Sequence, residues 1–143
     1  MSILIKDTDG GFRNGAAINN SIARGTRTPS AINATATATA QQVAVGYITS
    51  TSASATTITL PTGTLLGAEL NAQQGTIFDL YIDNTAGSST VTVAVATNGI
   101  LSDAAATTAA SFGQLTVANG ATGVGKFTLM FSSPTAYVFT RTA

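Results

Sequence analysis

The sequence predicts an all-β protein: an antiparallel β-sandwich, with the jelly roll as one arrangement of it, an extended N-terminal arm and at most one short helix. Three observations lead there. Apolar residues alternate with hydroxyl or charged residues in several short runs, the period-two pattern of a half-buried strand. Gly, Asn, Ser and Pro turn signals separate these runs at regular spacing. The 143 residues suffice for one domain with a single core.

Residues 1–33 read as the arm. Asp9-Gly10-Gly11, Asn14-Gly15, Asn19-Asn20 and Arg24-Gly25 are loop signals, and no sustained period links them. Residues 34–143 read as the sandwich domain. The Ala/Thr alternation of residues 34–40 fits a strand with one hydroxyl face, and equally a low-complexity linker. Val43, Val45 and Tyr47 share one face of a better strand. Residues 56–60 alternate again until Pro61 stops them. Residues 64–72 suit the one helix, with Leu66 and Leu70 at i, i+4, Thr62 or Thr64 as cap, and Gly75 just beyond.

The clearest strands follow. Residues 76–83 place Phe78, Leu80 and Ile82 inward and Asp79, Tyr81 and Asp83 outward. Residues 84–88 turn the chain into 90–95, with Val91, Val93 and Val95 inward, and the two runs are expected to pair as a hairpin. Residues 102–111 are a small-residue loop, and Leu115 and Val117 mark a short strand. Residues 126–131 put Phe127, Leu129 and Phe131 on one face, and residues 136–140 form the last strand. Many inward positions are Ala, Val or Thr, so the core is thin, and burying the outward Ile77, Tyr81 and Met130 by association would enlarge it.

Composition narrows the function. Charged residues make up only 8% of the chain, six acids against six bases, with no His, Cys or Trp. Thiol and imidazole nucleophiles, Ser-His-Asp catalysis, zinc-thiolate sites and disulfides are therefore excluded. The balanced charge argues against nucleic acid as a partner. So little charge suits a surface covered by neighbouring chains. The opening residues 1–7 hold only three consecutive apolar residues before charge begins, too few for a leader or a membrane span, so synthesis in the cytoplasm and no membrane partner are expected.

Candidate chemistry is sparse. Asp79 and Asp83 share a strand face about 13 Å apart, too far for a glycosidase pair. They could bind calcium at a subunit contact, but a solvated strand face is the favoured reading. Asp7-Thr8-Asp9-Gly10 opens like a calcium loop, yet Ile18 stands where its closing Glu belongs. Residues 120–125 are glycine-rich without the Lys-Ser/Thr ending of a phosphate loop, so a turn is expected. Residues 1–30 hold four bases and two acids, a net of +2. Of these bases Arg13, Arg24 and Arg27 are the candidate partner-binding residues, since Arg pairs well with acidic groups at interfaces. No cofactor and no enzymatic activity are expected.

Several runs together resemble small β-rich virion proteins of tailed bacteriophages. They are Val45-Gly46-Tyr47-Ile48-Thr49-Ser50, residues 55–61, Gly75-Thr76-Ile77-Phe78-Asp79, Asp83-Asn84-Thr85-Ala86-Gly87, Thr90-Val91-Thr92-Val93, Lys126-Phe127-Thr128-Leu129 and Ala136-Tyr137-Val138-Phe139. The likeness covers about residues 43–143 and is one of pattern and composition. It implies a capsid decoration (cement) protein on the virion surface, usually a homotrimer near local three-fold positions, with its N-terminal arm along the major capsid protein. The rival reading is a head or tail fibre module that binds a host carbohydrate receptor.

Overall fold

The computed structural model describes residues 27–96, residues 115–143 and the backbone of 99–101. These form β1 Ser30–Ala31, β2 Ala36–Thr37, α1 Ala40–Ala44, β3 Tyr47–Thr49, β4 Thr56–Thr59, α2 Gly63–Leu70, β5 Ile77–Asp83, β6 Val91–Ala94, β7 Gly99–Leu101, β8 Thr116–Val117, β9 Val124–Ser133 and β10 Ala136–Arg141. The protein is strand-rich, with a six-stranded sheet (β1-β3-β5-β9-β10-β7) and a four-stranded sheet (β2-β4-β6-β8).

The strand pairing departs from the antiparallel expectation. Among the described residues only β5–β9, β9–β10 and β6–β8 are antiparallel. The pairs β1–β3, β3–β5, β2–β4, β4–β6 and β7–β10 are parallel. The cause is the path of the chain. It lays one strand in the large sheet, crosses to lay the next in the small sheet, and returns through α1 or α2 to begin again. Strands from successive passes therefore run the same way. The ladders continue round the corners: Ile32 and Ser50 donate their N–H to the Thr49 and Asp83 carbonyls, each at 2.9 Å. On the other sheet Ala38 and Leu60 donate to Thr59 and Ala94, at 2.8 and 2.7 Å.

The expected hairpin of β5 with β6 does not form, because the two strands belong to different sheets. Asn84, fully buried at the corner between them, explains the crossing. Its Nδ2 donates to the carbonyls of Ser89 (2.8 Å), Ala118 (3.1 Å) and Val117 (3.2 Å), and its N–H to Gly123 (2.6 Å). The corner is thereby tied to the end of β8 and the approach to β9. Gly87 must lack a side chain here, since a β-carbon would collide with Asn84 Oδ1.

A second helix replaces an expected strand. Val43 lies in α1, which Thr39 caps: Thr39 Oγ1 accepts from the Gln42 N–H at 3.1 Å, and Gln42 Oε1 accepts from the Thr39 N–H at 2.8 Å. Of the 34–40 alternation only β2 is extended strand. The helix expected over 64–72 forms as α2, capped by Thr62 and ended by Asn71 in the left-handed region at φ 50°, rather than by Gly75.

One apolar core lies between the sheets. Ile48, Leu80, Ile82, Phe127, Leu129, Phe131, Tyr137 and Phe139 enter it from the large sheet. Ile58, Val91, Val93 and Val117 enter from the small one, and Val43 and Leu66 from the helices. Phe127 stacks on Phe139 with centroids 5.1 Å apart. The inward faces expected for β5, β6 and β9 are those observed, with Phe78 and Val95 only partly buried. Ser30–Ala31 and the buried Ile32, at the end of the segment read as an arm, belong to the large sheet and the core.

Candidate functional site

Alternation in β5 and β9 fixes what the large sheet shows to the outside. Leu80, Ile82, Phe127 and Leu129 point into the core, so Ile77, Asp79, Tyr81 and Asp83 on β5 point out, as do Val124, Lys126, Thr128 and Met130 on β9. Register sets these side chains in rows. Ile77 lies opposite Met130, and Met130 opposite Val138 on β10. Asp79 lies opposite Thr128, Tyr81 opposite Lys126, and Tyr47 on β3 opposite Tyr81. Ile77 is 65% exposed, Tyr81 40% and Met130 38%. The face thus carries an apolar row at one end and a polar field beside it.

Each charge in that field has a partner within the chain. Lys126 Nζ stands 3.1 Å from Asp79 Oδ2, and Thr128 Oγ1 donates to Asp79 Oδ1 at 2.8 Å. The Thr128 hydroxyl, then Lys126, holds the Asp79 carboxyl below the usual carboxylate range, and Asp79 raises Lys126 in turn. Asp83 accepts from the Thr85 hydroxyl (2.7 Å), the Thr85 N–H (2.9 Å) and the Tyr47 hydroxyl (2.8 Å). The Thr85 donors, then Tyr47, lower Asp83, and the hydrogen bond to Asp83 raises the Tyr47 phenol. Lys126 Nζ also lies over the Tyr81 ring, 5.9 Å from its centroid.

Asp79 and Asp83 share the outward face, as alternation requires, but each is engaged by its own partners. No group of three or more acidic side chains able to hold a metal occurs among the described residues. Arg13 and Arg24 lie outside the described residues. Arg27 lies beside Gly46 at the edge of the large sheet, where a β-carbon would meet its guanidinium, the Asp79 carbonyl and the Phe78 ring. Gly46, at φ 79°, suits both the turn out of α1 and this close approach.

The Tyr47–Asp83 and Lys126–Asp79 pairs escaped the sequence reading. They join residues far apart in the chain, and only strand register could have revealed them. A groove of about 410 Å³ lies at the starts of α1 and α2, lined by Thr37–Ala40, Pro61, Thr62, Leu65 and Ala96. It brings no acid or base together. No described helix is long and apolar enough to cross a membrane. Compared with known proteins, the chain matches no family model, no curated protein and no solved structure.

Proposed function

We propose that the chain is a virion structural protein: a capsid decoration (cement) subunit that binds the assembled head of a tailed bacteriophage and stabilises its shell. The observation that carries this reading is the outward face of the large sheet. It exposes Ile77, Tyr81 and Met130 together, and it satisfies Asp79, Asp83 and Lys126 internally. Such a surface is suited to lateral contact with other protein and not to acid–base chemistry. The low charge of the whole chain and the resemblance of residues 43–143 to phage virion proteins support the same role. Two sheets enclosing one core keep the layering, though not the antiparallel pairing, of the sandwich that the strand pattern predicts.

The proposed mechanism is mass action. A subunit that binds only the assembled shell shifts the equilibrium against opening. Three copies would sit around each three-fold position, and the part of the arm ahead of β1, with Arg13, Arg24 and Arg27, would run along the major capsid protein. The role is structural rather than enzymatic, needs no cofactor and involves neither nucleic acid nor membrane. The test is the copy number of this chain in purified particles from its source. Hundreds of copies are expected, whereas complete absence would refute the virion reading.

The exposed Tyr81 ring, with Asp79 and Lys126 beside it, supports a second reading as a fibre module holding a carbohydrate against the sheet. A dozen copies or fewer per particle, with a glycan-array signal that Tyr81→Ala abolishes, would decide for it.

A further inference from the structure

We propose that the outward face of the large sheet docks onto the same face of a second copy of this chain, sheet against sheet about a two-fold axis, in the free protein. The argument is the face's self-complementarity. A two-fold axis parallel to the strands, lying above the line between β5 and β9, sets β9 of each copy over β5 of the other. Because Ile77 pairs with Met130 and Tyr81 with Lys126, this operation places Met130 over Ile77. It also places Lys126 over Tyr81, between the carboxylates of Asp79 and Asp83. The apolar row of each copy meets the apolar row of the other, while Thr128 lies over Asp79 and Val124 over Asp83. Each Lys126, bridged to Asp79 in its own copy, gains the acids of the other as further partners. The roughly 30° offset usual between packed sheets preserves these contacts near the axis.

Isologous pairing of one patch with itself is the commonest route to a homo-oligomer. The four strands β3, β5, β9 and β10, about 4.8 Å apart, and the length of β5, at about 3.3 Å per residue, give a face of roughly 19 by 23 Å. That is smaller than the ~800 Å² per partner of a standard interface, so the pairing is expected to depend on concentration. The inference does not rest on the capsid reading, in which the shell's own symmetry sets the number of copies.

The test is the mass of the full chain by sedimentation equilibrium across micromolar to near-millimolar concentrations, with three variants. The wild-type chain is expected to shift from monomer to dimer. Ile77→Asp puts a charge into the apolar row, and Lys126→Asp gives the face three acids, so both are expected to remain monomeric. Reversing all three charges, Asp79→Lys and Asp83→Lys with Lys126→Asp, restores opposite charges across the interface and is expected to recover the dimer. Ile77 and Lys126 lie outside the core, and circular dichroism identifies the variants that keep the fold. A wild-type chain that stays monomeric throughout overturns the proposal and leaves the face to the N-terminal arm or a foreign surface. So does a dimer or trimer whose mass both single substitutions leave unchanged.

Discussion

Replacing Asn84 by alanine should destabilise the fold more than any single surface change. The Asn84 amide group sits fully buried, and its two hydrogens are shared among the carbonyls of Ser89, Val117 and Ala118 at 2.8–3.2 Å. Truncation removes the two hydrogen bonds that these hydrogens supply, each contributing about 1 kcal/mol net, and leaves the buried Val117 carbonyl without this donor at a further cost of about 1–3 kcal/mol. It also removes Asn84 Oδ1, buried without a partner, which returns about 1–3 kcal/mol. The expected net loss is therefore about 2 kcal/mol, a substantial part of the ~5–15 kcal/mol that holds a domain folded. Urea unfolding followed by far-ultraviolet circular dichroism measures it as a fall in midpoint at unchanged slope. A loss below about 1 kcal/mol would refute the reasoning, since the three carbonyls would then not depend on this amide. Asn84→Asp makes the same point through pH. A carboxylate facing those carbonyls is disfavoured, so its folded-state pKa rises above the unfolded value. Stability is then retained below about pH 4 and lost as pH rises above it. Asp should be worse than Ala at pH 7, and the difference should shrink in acid.

Other consequences are as direct. The Tyr137 hydroxyl donates to the Pro61 carbonyl at 2.8 Å in a buried site, so Tyr137→Phe should cost about 1–2 kcal/mol in the same urea assay. Burial also raises the Tyr137 phenol well above its ordinary range. Native stability should therefore fall as pH climbs beyond about 10, where the unfolded phenol ionises and the folded one does not, and ultraviolet titration should show this tyrosine ionising only on unfolding. Asp79 and Asp83 are both held below the usual carboxylate range, chiefly by the hydroxyls of Thr128 and Thr85. Their contribution is complete above about pH 4 and lost as pH falls through the folded-state values, so Asp83→Asn should flatten the acid limb of melting temperature against pH. Gly67→Ala would drive a β-carbon into the Pro134 carbonyl and push α2 off the β9–β10 turn, costing about 1–3 kcal/mol by thermal unfolding.

What the sequence made legible was local. Alternation in β5, β6 and β9 is strong because one face of each is apolar, and it assigned inward and outward sides residue by residue. Leu66 and Leu70 marked α2. Thr39 and Gln42 spelled a capping box ahead of α1, a signal masked by the Ala/Thr alternation running into it. Strand partners were hidden for a physical reason: a half-buried strand shows the same period whether its neighbour runs parallel or antiparallel. The five-residue turn after Asp83 suits a hairpin equally well. What redirects it is the Asn84 amide, whose acceptors lie partly on Val117 and Ala118, some thirty residues further along. The candidate site was half legible: Ile77, Tyr81 and Met130 were placed outward, but the pairing of Asp79 with Lys126 and of Asp83 with Tyr47 depends on register.

The winding path of the chain has a consequence for its synthesis. As the polypeptide leaves the ribosome, each new pass finds the previous one already in place, so β3 can pair with β1, and β5 with β3, within a short stretch of chain. The other side of β5 must wait for β9, which arrives roughly forty to fifty residues later. Until then the nascent chain carries a seven-residue strand with a bare edge and an apolar underside, the form most open to pairing with a stranger. The C-terminal hairpin acts as a clasp that ends this interval. Substitutions that slow its arrival, such as those at the β9–β10 turn, should therefore show first as aggregation during expression, before any loss of equilibrium stability is measurable.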